Sequence, residues 1–214
     1  MKQADEAAGG IEGREGVSRL EAFSDGVLAI VITIMVLELE APEEVGLAAL
    51  RDLWPTFFAY VLSYAYVAIY WVNHHRLFGH ARVVTNGLVW ANIALLFALS
   101  LMPFATAYLG RHFLDPGAST LYAVSLLLPA LAYLWLLAII ARTGVSDAPA
   151  RAWYRATGRK ALAATAGYAL GAAVAWWQPL AGVALPVLIA FLWIKPWGPI
   201  DSLLLRCDAP DHAA

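Results

Sequence analysis

Charged positions fall in clusters along the chain, and the blocks between them, 26–37, 53–73, 83–110, 116–141 and 161–194, contain no Asp, Glu, Lys or Arg. The last block is too long for one crossing. A single helix through it would run about 51 Å at 1.5 Å per residue, against a hydrocarbon core of ~30 Å. It must turn back once, and the place is Gln178-Pro179, directly after Trp176-Trp177, because proline removes a backbone donor and indole rings favour the membrane interface. The pattern therefore predicts an all-α, polytopic membrane protein of six helices, roughly 19–41, 53–77, 84–109, 118–141, 160–177 and 180–196.

Composition agrees. Of 214 residues 61% are hydrophobic and 14% charged, where a soluble domain averages about 25% charged. So few charges cannot cover a water-facing surface, and the apolar content excludes a disordered chain. A net charge of −2 offers no basic excess for nucleic acid, and the lone Cys207 excludes a disulfide framework, a Cys-ligated zinc and an iron–sulfur cluster.

Charge also orients the spans. All of the 14 Lys and Arg except Arg51 and Arg111 fall on one side of a six-span arrangement. They lie in the N-terminal stretch (Lys2, Arg14, Arg19), the second-to-third turn (Arg76, Arg82), the fourth-to-fifth loop (Arg142, Arg151, Arg155, Arg159, Lys160) and the tail (Lys195, Arg206). The other side gathers Glu38, Glu40, Glu43, Glu44, Asp52 and Asp115. By the positive-inside rule both termini are cytoplasmic. Residues 1–18 read as a polar, Gly-rich, under-ordered cytoplasmic arm rather than a cleavable signal peptide, 19–197 as the membrane domain and 198–214 as a cytoplasmic tail.

The first helix is anomalous. Only a dozen uncharged positions separate Asp25 from Glu38, about 18 Å of helix, whereas a span needs ~20 apolar residues. With Arg19 at the interface, Asp25 lies roughly 9 Å deeper, where a carboxylate pairs or faces protein or water rather than lipid. At 100° per residue Phe23, Gly26, Ile30, Thr33, Ile34 and Leu37 form one stripe centred on Ile30, with Asp25 about 140° away. The stripe reads as a packing face, with Asp25 pairing Arg19 or a polar group on another helix. The sharper reading is the lining of a pathway on a symmetry axis, with Ser24 and Asp25 bracing the helix from behind. Periodicity does not choose.

These residues carry a resemblance. Arg19, Phe23-Ser24-Asp25-Gly26, Val27-Leu28-Ala29-Ile30 and Thr33 match the RxxxFSDG(V)xAIxxT signature of the transmembrane protein 175 family, potassium-permeable channels of endolysosomes and bacteria. Trp71 to Phe78 (Trp-Val-Asn-His-His-Arg-Leu-Phe), Asn92 and Pro103-Phe104 agree too, so the resemblance covers nearly the whole chain. Animal members look like two such units joined, whereas this single unit is similar to the bacterial form, a homotetramer in the cell membrane. The resemblance implies that the first helix of each subunit lines a central pore. The constriction then falls on Ile30, with Ile34 and Leu37 as further apolar layers outward and Thr33 a polar layer between them. It also makes Arg19, Ser24 and Asp25 a bracing network, with His74 or His75 as partner.

Such a pore conducts K⁺ without a cofactor. Four Ile side chains offer no oxygen ligands, so an ion passing Ile30 keeps much of its water or loses some uncompensated. Potassium dehydrates more cheaply than sodium, which predicts weak K⁺ selectivity. Thr33 hydroxyls supply partial replacement ligands, and Glu38 and Glu40 at the outer mouth either concentrate cations or are ordinary solvated acids. Thr165-Ala166-Gly167-Tyr168-Ala169 is similar to a TVGYG filter, but two of its five positions depart and no pore helix precedes it; Gly167 and Gly171 read instead as helix packing. His74 and His75 diverge by 100° on a helix and cannot share one metal ion, and no histidines are placed to ligate a haem. A histidine beside Asp25 suits a pH-sensing role. The alternative function is a proton-coupled secondary transporter using Asp25 and a histidine, weakened by the absence of an inverted repeat. No nucleophile–base pair or nucleotide loop supports an enzyme.

Overall fold

Prolines and polar caps divide the chain. In the computed structural model, which describes residues 2–43, 45–143 and 148–194, the elements are α1 (Lys2–Leu37), α2 (Leu47–Asp52), α3 (Trp54–Phe78), α4 (Asn86–Ser100), α5 (Met102–Arg111), α6 (Pro116–Thr143), α7 (Ala148–Ala175) and α8 (Pro179–Ile194). The fold is all-helical over the described residues. Thr85 caps α4 by accepting a bond from the Leu88 N–H at 3.2 Å, and Asp115 caps α6 by accepting from the Ala118 N–H at 2.9 Å; each satisfies a donor that a helix start leaves orphaned. α5 opens with Pro103 in its first turn, so the stretch read as one third helix is two segments joined at Leu101. Together they cover Asn86–Arg111 as one apolar unit.

Four units are long and apolar enough to cross a membrane: Gly13–Leu37, Trp54–Phe78, Asn86–Arg111 and Pro116–Thr143. α8 is shorter at 16 residues, about 24 Å of helix. The expected reversal in the last block is present, with α7 ending at Ala175, a turn over Trp176 and Trp177, and Pro179 opening α8. Small residues let these two helices close. A Cβ on Gly167 would sit 2.6 Å from Ile189 Cδ1, and one on Gly182 would sit 2.3 Å from Ala175 Cβ. Thus Gly167 belongs to a helix–helix contact, which is why the filter-like pentapeptide is packing and not a pore loop.

Polar groups tie the other helices together where lipid offers no partner. Thr106 of α5, its proton on the Met102 carbonyl, accepts from Ser63 of α3 at 2.7 Å, Ser63 bonds the Tyr122 hydroxyl of α6 at 3.0 Å, and the Tyr66 hydroxyl donates to the Pro186 carbonyl of α8. α6 packs against both α4 and α7, whereas α1 lies on one side of the bundle against α3, α4 and α5. Its apolar stretch is 22% buried, against 56% for α4–α5 and for α6.

Three expectations change. Residues 2–18 continue α1 as helix rather than forming a loose arm, and from Gly13 on the helix is held by tertiary contact. Val17 is buried, and Gly13 packs so closely on the α3–α4 turn that a Cβ there would lie 2.8 Å from the Arg82 carbonyl oxygen. α1 stops at Leu37, short of 41, where two acids and Pro42 follow; proline disfavours helix in the residue before it. The cationic loop read over 142–160 is helical from Ala148, and α2 was not anticipated. Lys195, Arg206, Cys207, Glu44 and the tail 198–214 lie outside the described residues.

The ends of the bundle differ in charge. At one, Gly13 meets Arg82 and the His80 ring stacks on Trp153 of α7 at 5.1 Å, so the cations of α1, the α3–α4 turn and α7 collect together. At the other, Trp54 and Phe113 meet edge to face beside the acids that follow α1. Gly182→Ala forces its new methyl into Ala175, and overpacking of this kind costs about 1–3 kcal/mol. The expected outcome is a lower midpoint in thermal unfolding of the detergent-solubilised protein, partly recovered when Ala175→Gly is added.

Candidate pore helix and its bracing network

The two faces of α1 have opposite fates. Ser24, Leu28, Val31 and Met35, at intervals of four, three and four, are all buried and within an arc of about 60° at 100° per residue. The stripe read from periodicity is the face the chain leaves uncovered: Phe23 is 58% exposed, Ile30 58%, Ile34 42% and Leu37 75%. A Cβ on Gly26 would meet nothing within 4 Å. Thr33, also exposed, donates its hydroxyl proton back to the Ala29 and Ile30 carbonyls, both at 3.0 Å, so lone pairs are what it turns outward. Among the described residues this stripe is not a packing face.

The buried face is held by one directed chain of hydrogen bonds. The Ser24 hydroxyl donates to the Leu20 carbonyl at 2.9 Å, so its oxygen can only accept from elsewhere. Asn92 of α4 fills that role, its amide Nδ2 donating at 2.8 Å. This orientation aims the Asn92 Oδ1 at His74 of α3, 2.8 Å from Nε2. An amide oxygen only accepts, so the proton sits on Nε2, and Nδ1 is buried with no partner among the described residues. The His74 ring stacks on Phe78 with centroids 4.2 Å apart.

A second, exposed layer lies beside it. His75 Nδ1 donates to Glu21 at 2.6 Å, and the Trp71 indole N–H donates to Asp25 at 2.9 Å while its ring stacks on His75. The histidine pair therefore divides as the 100° step requires, with His74 inward and His75 outward. Neither touches Asp25, whose partner is Trp71. Arg19 is exposed and takes part in no hydrogen bond or ion pair among the described residues. Three participants were not singled out for this role from sequence: Asn92, Glu21 and Trp71. For Asn92 a signal existed, since an amide on an otherwise apolar helix must find a partner in a membrane.

At the far end of α1, Arg111 of α5 reaches Glu40 at 3.0 Å and Glu38 at 3.7 Å. The two acids share one guanidinium and are not a free anionic rim. Between α1 and α5 runs an open groove of about 910 Å³ whose lining includes Ile30, Ile34, Glu38, Phe104 and Arg111. No cluster of three or more His, Cys, Asp or Glu suited to a metal occurs among the described residues.

Comparison with known proteins bears on this arrangement. The sequence profile of the family described as endosomal/lysosomal potassium channel TMEM175 matches residues 19–103. A protein named as a potassium channel of Chryseobacterium sp. (strain P1-3) is 41% identical over 187 residues, 87% of this chain and 96% of that one. The endosomal/lysosomal proton channel TMEM175 of Homo sapiens is 37% identical over 99 residues, 41% of this chain and 20% of that one. The crystal structure of a lysosomal potassium-selective channel TMEM175 homolog from Chamaesiphon minutus superposes with a TM-score of 0.76 at 28% identity, covering 91% of this chain and 100% of that one.

Asn92→Ala removes the bridge and leaves the His74 Nε2–H buried without an acceptor. Such an orphan costs about 1–3 kcal/mol, so the thermal midpoint is expected to fall clearly. Trp71→Phe, which deletes one exposed donor and keeps an aromatic ring, lowers it much less; the two midpoints measured side by side check the ranking.

Proposed function

We propose, on the premise that the chain belongs to the TMEM175 family of ion channels, that it conducts potassium as a homotetramer through an axial pore lined by α1. The observation that carries the reading is the uncovered stripe: a membrane-length helix buries Ser24, Leu28, Val31 and Met35 and leaves Ile30, Ile34 and Leu37 outside its own subunit. Four copies facing inward give those side chains a common axis to surround. In this reading α7 and α8 complete six spans, the cation-rich end is cytoplasmic by the positive-inside rule, and the protein sits in the cell membrane with both termini inside. The domain organisation is a six-helix channel domain over 19–197, with 198–214 as its cytoplasmic tail.

The selectivity is that of a hydrophobic constriction. Ile30 offers no ligand oxygens, so the barrier for an ion is the water it sheds there, and K⁺ sheds water at lower cost than Na⁺. Thr33 lone pairs nearly a full turn further on receive the partly stripped ion. Ile34 and Leu37 extend the apolar lining toward Glu38 and Glu40, which with Arg111 form a rim carrying a single net negative charge per subunit. Ser24, Asp25, His74 and His75, with Asn92 and Trp71, hold α1 in its rotation; Phe23 stands on the uncovered stripe, and Arg19 marks the interfacial end. The proton-coupled transporter reading requires Asp25 against a histidine, and Asp25 bonds Trp71 instead.

The direct test is ion flux through purified protein in liposomes. Ile30→Asn wets the constriction and is expected to raise K⁺ and Na⁺ flux severalfold while bringing their ratio toward unity; unaltered flux and ratio would remove Ile30 from the pore. Arg111→Gln frees Glu38 and Glu40 to attract cations. Its single-channel conductance should exceed wild type at low ionic strength, and the gap should close as salt rises past roughly 0.15 M, where the Debye length is about 8 Å.

A further inference from the structure

Glycine weakens a helix interior relative to alanine, and several helical glycines of this chain have a neighbour that leaves no room for a side chain. A Cβ at Gly13 or Gly110 would sit 2.8 Å from backbone atoms, and one at Gly167 or Gly182 would sit closer still to a side chain. Gly26 has no such neighbour. It lies within α1, exposed and without a positive φ, and a Cβ there would meet nothing within 4 Å. No contact inside the subunit accounts for it, so its reason lies on the face the subunit leaves uncovered.

Helix geometry says what a side chain at 26 would cover. Side chains lean back over the preceding turn, and Thr33 shows the reach, its hydroxyl lying 3.0 Å from the carbonyl oxygens of Ala29 and Ile30, four and three positions earlier. From position 26 the same relation falls on the carbonyls of Ala22 and Phe23. With no side chain at 26, and only a methyl at the exposed Ala22, those carbonyls are bare. Each keeps a second lone pair beside the one that bonds its own helix. Gly26 stands about 6 Å before Ile30 along the axis and Thr33 about 4.5 Å after it, and the two point within about 20° of each other around the helix.

We propose that the bared carbonyls of Ala22 and Phe23 form a second oxygen layer, which takes a hydrated monovalent cation on the cytoplasmic side of Ile30. This rests on the axial pore proposed above. An ion crossing the apolar ring then has oxygen on both sides, water-bearing carbonyls before it and Thr33 lone pairs after it. Without that layer the stripe from Phe23 to Ile30 is hydrocarbon alone, and a narrow hydrocarbon lining empties of water. Gly26 keeps the approach to the constriction wet.

K⁺ flux through the full chain in liposomes tests this with three variants, each checked for wild-type assembly by native mass spectrometry. Gly26→Val covers both carbonyls and is expected to lower the flux severalfold, Gly26→Ala to lower it less. Gly26→Ser is nearly the size of Gly26→Ala, but its hydroxyl donates back as that of Thr33 does and turns lone pairs outward, so it should conduct better than Gly26→Ala. All three should keep or raise the thermal midpoint, since no neighbour is displaced and the helix loses a glycine. Wild-type flux in Gly26→Val overturns the proposal. So does Gly26→Ser conducting no better than Gly26→Ala, which would leave width as the only role of Gly26. Loss of assembly in Gly26→Ala would assign the glycine to a contact between subunits and overturn it too. Ile30→Asn measured beside them keeps two failures apart: flux altered there but not in Gly26→Val removes the oxygen layer alone, and flux altered in neither removes the pore as well.

Discussion

A helix at the side of a bundle, covered on one face only, has little to fix its rotation. Aliphatic packing alone is weakly specific in a membrane, because lipid tails are as apolar as Leu28 or Val31 and a rotated helix loses little by turning toward them. What fixes α1 is the buried chain Leu20–Ser24–Asn92–His74. Each link has one permitted direction, since Ser24 spends its proton on its own helix, Asn92 must then turn its NH₂ toward Ser24, and its oxygen leaves His74 a single role. Rotate α1 by one residue and the Ser24–Asn92 bond breaks, leaving the buried Asn92 N–H without its acceptor and no water in the hydrocarbon to replace it.

That constraint makes an uncovered apolar stripe informative. The stripe is not surface left over once the core was filled, because its rotation is specified by hydrogen bonds on the far side of the helix. Both ends of α1 carry further ties, Glu21–His75 and Asp25–Trp71 at one and Glu38 and Glu40 with Arg111 at the other. These are exposed pairs, each worth little alone, but they bracket a helix whose middle is held by Leu28, Val31 and Met35. Rigid fixing suits a constriction made of side chains. A hydrophobic ring discriminates by its width, and width is set by how firmly each helix is held.

How legible this was in the sequence follows from the range of each interaction. The uncovered face of α1 came out of periodicity, because a 100° step is local geometry. The reversal at Gln178-Pro179 came from proline and indole chemistry, also local, and the assignment of Gly167 to packing from small-residue spacing. The helical state of 13–18 was hidden, since Gly13 and Gly16 dock against Arg82 and Val84, far along the chain. The resemblance gave Asp25 a histidine as partner; Trp71 lies only about 60° from His74 and 40° from His75 around α3, and the packed angle between α1 and α3 decides which of them reaches Asp25. Arg111 was counted as one stray cation on the acidic side, whereas in space it lies between Glu38 and Glu40 and lowers the charge of the rim they were expected to form.

The signature itself can be read as a device for spacing two functions on one helix. Ser24 and Asp25 are neighbours, and the 100° between them sends one into the bundle toward Asn92 and the other to the interface toward Trp71. Ile30 follows Ser24 by six positions, which turns it about 120° from the buried bond and clear of α4. One residue more or fewer between Ser24 and Ile30 would swing the Ile30 side chain by about 100° while the anchor stayed in place. The anchor and the stripe are therefore a single feature: the polar residues fix the angle, and the count of residues after them decides which apolar side chains the bundle leaves uncovered.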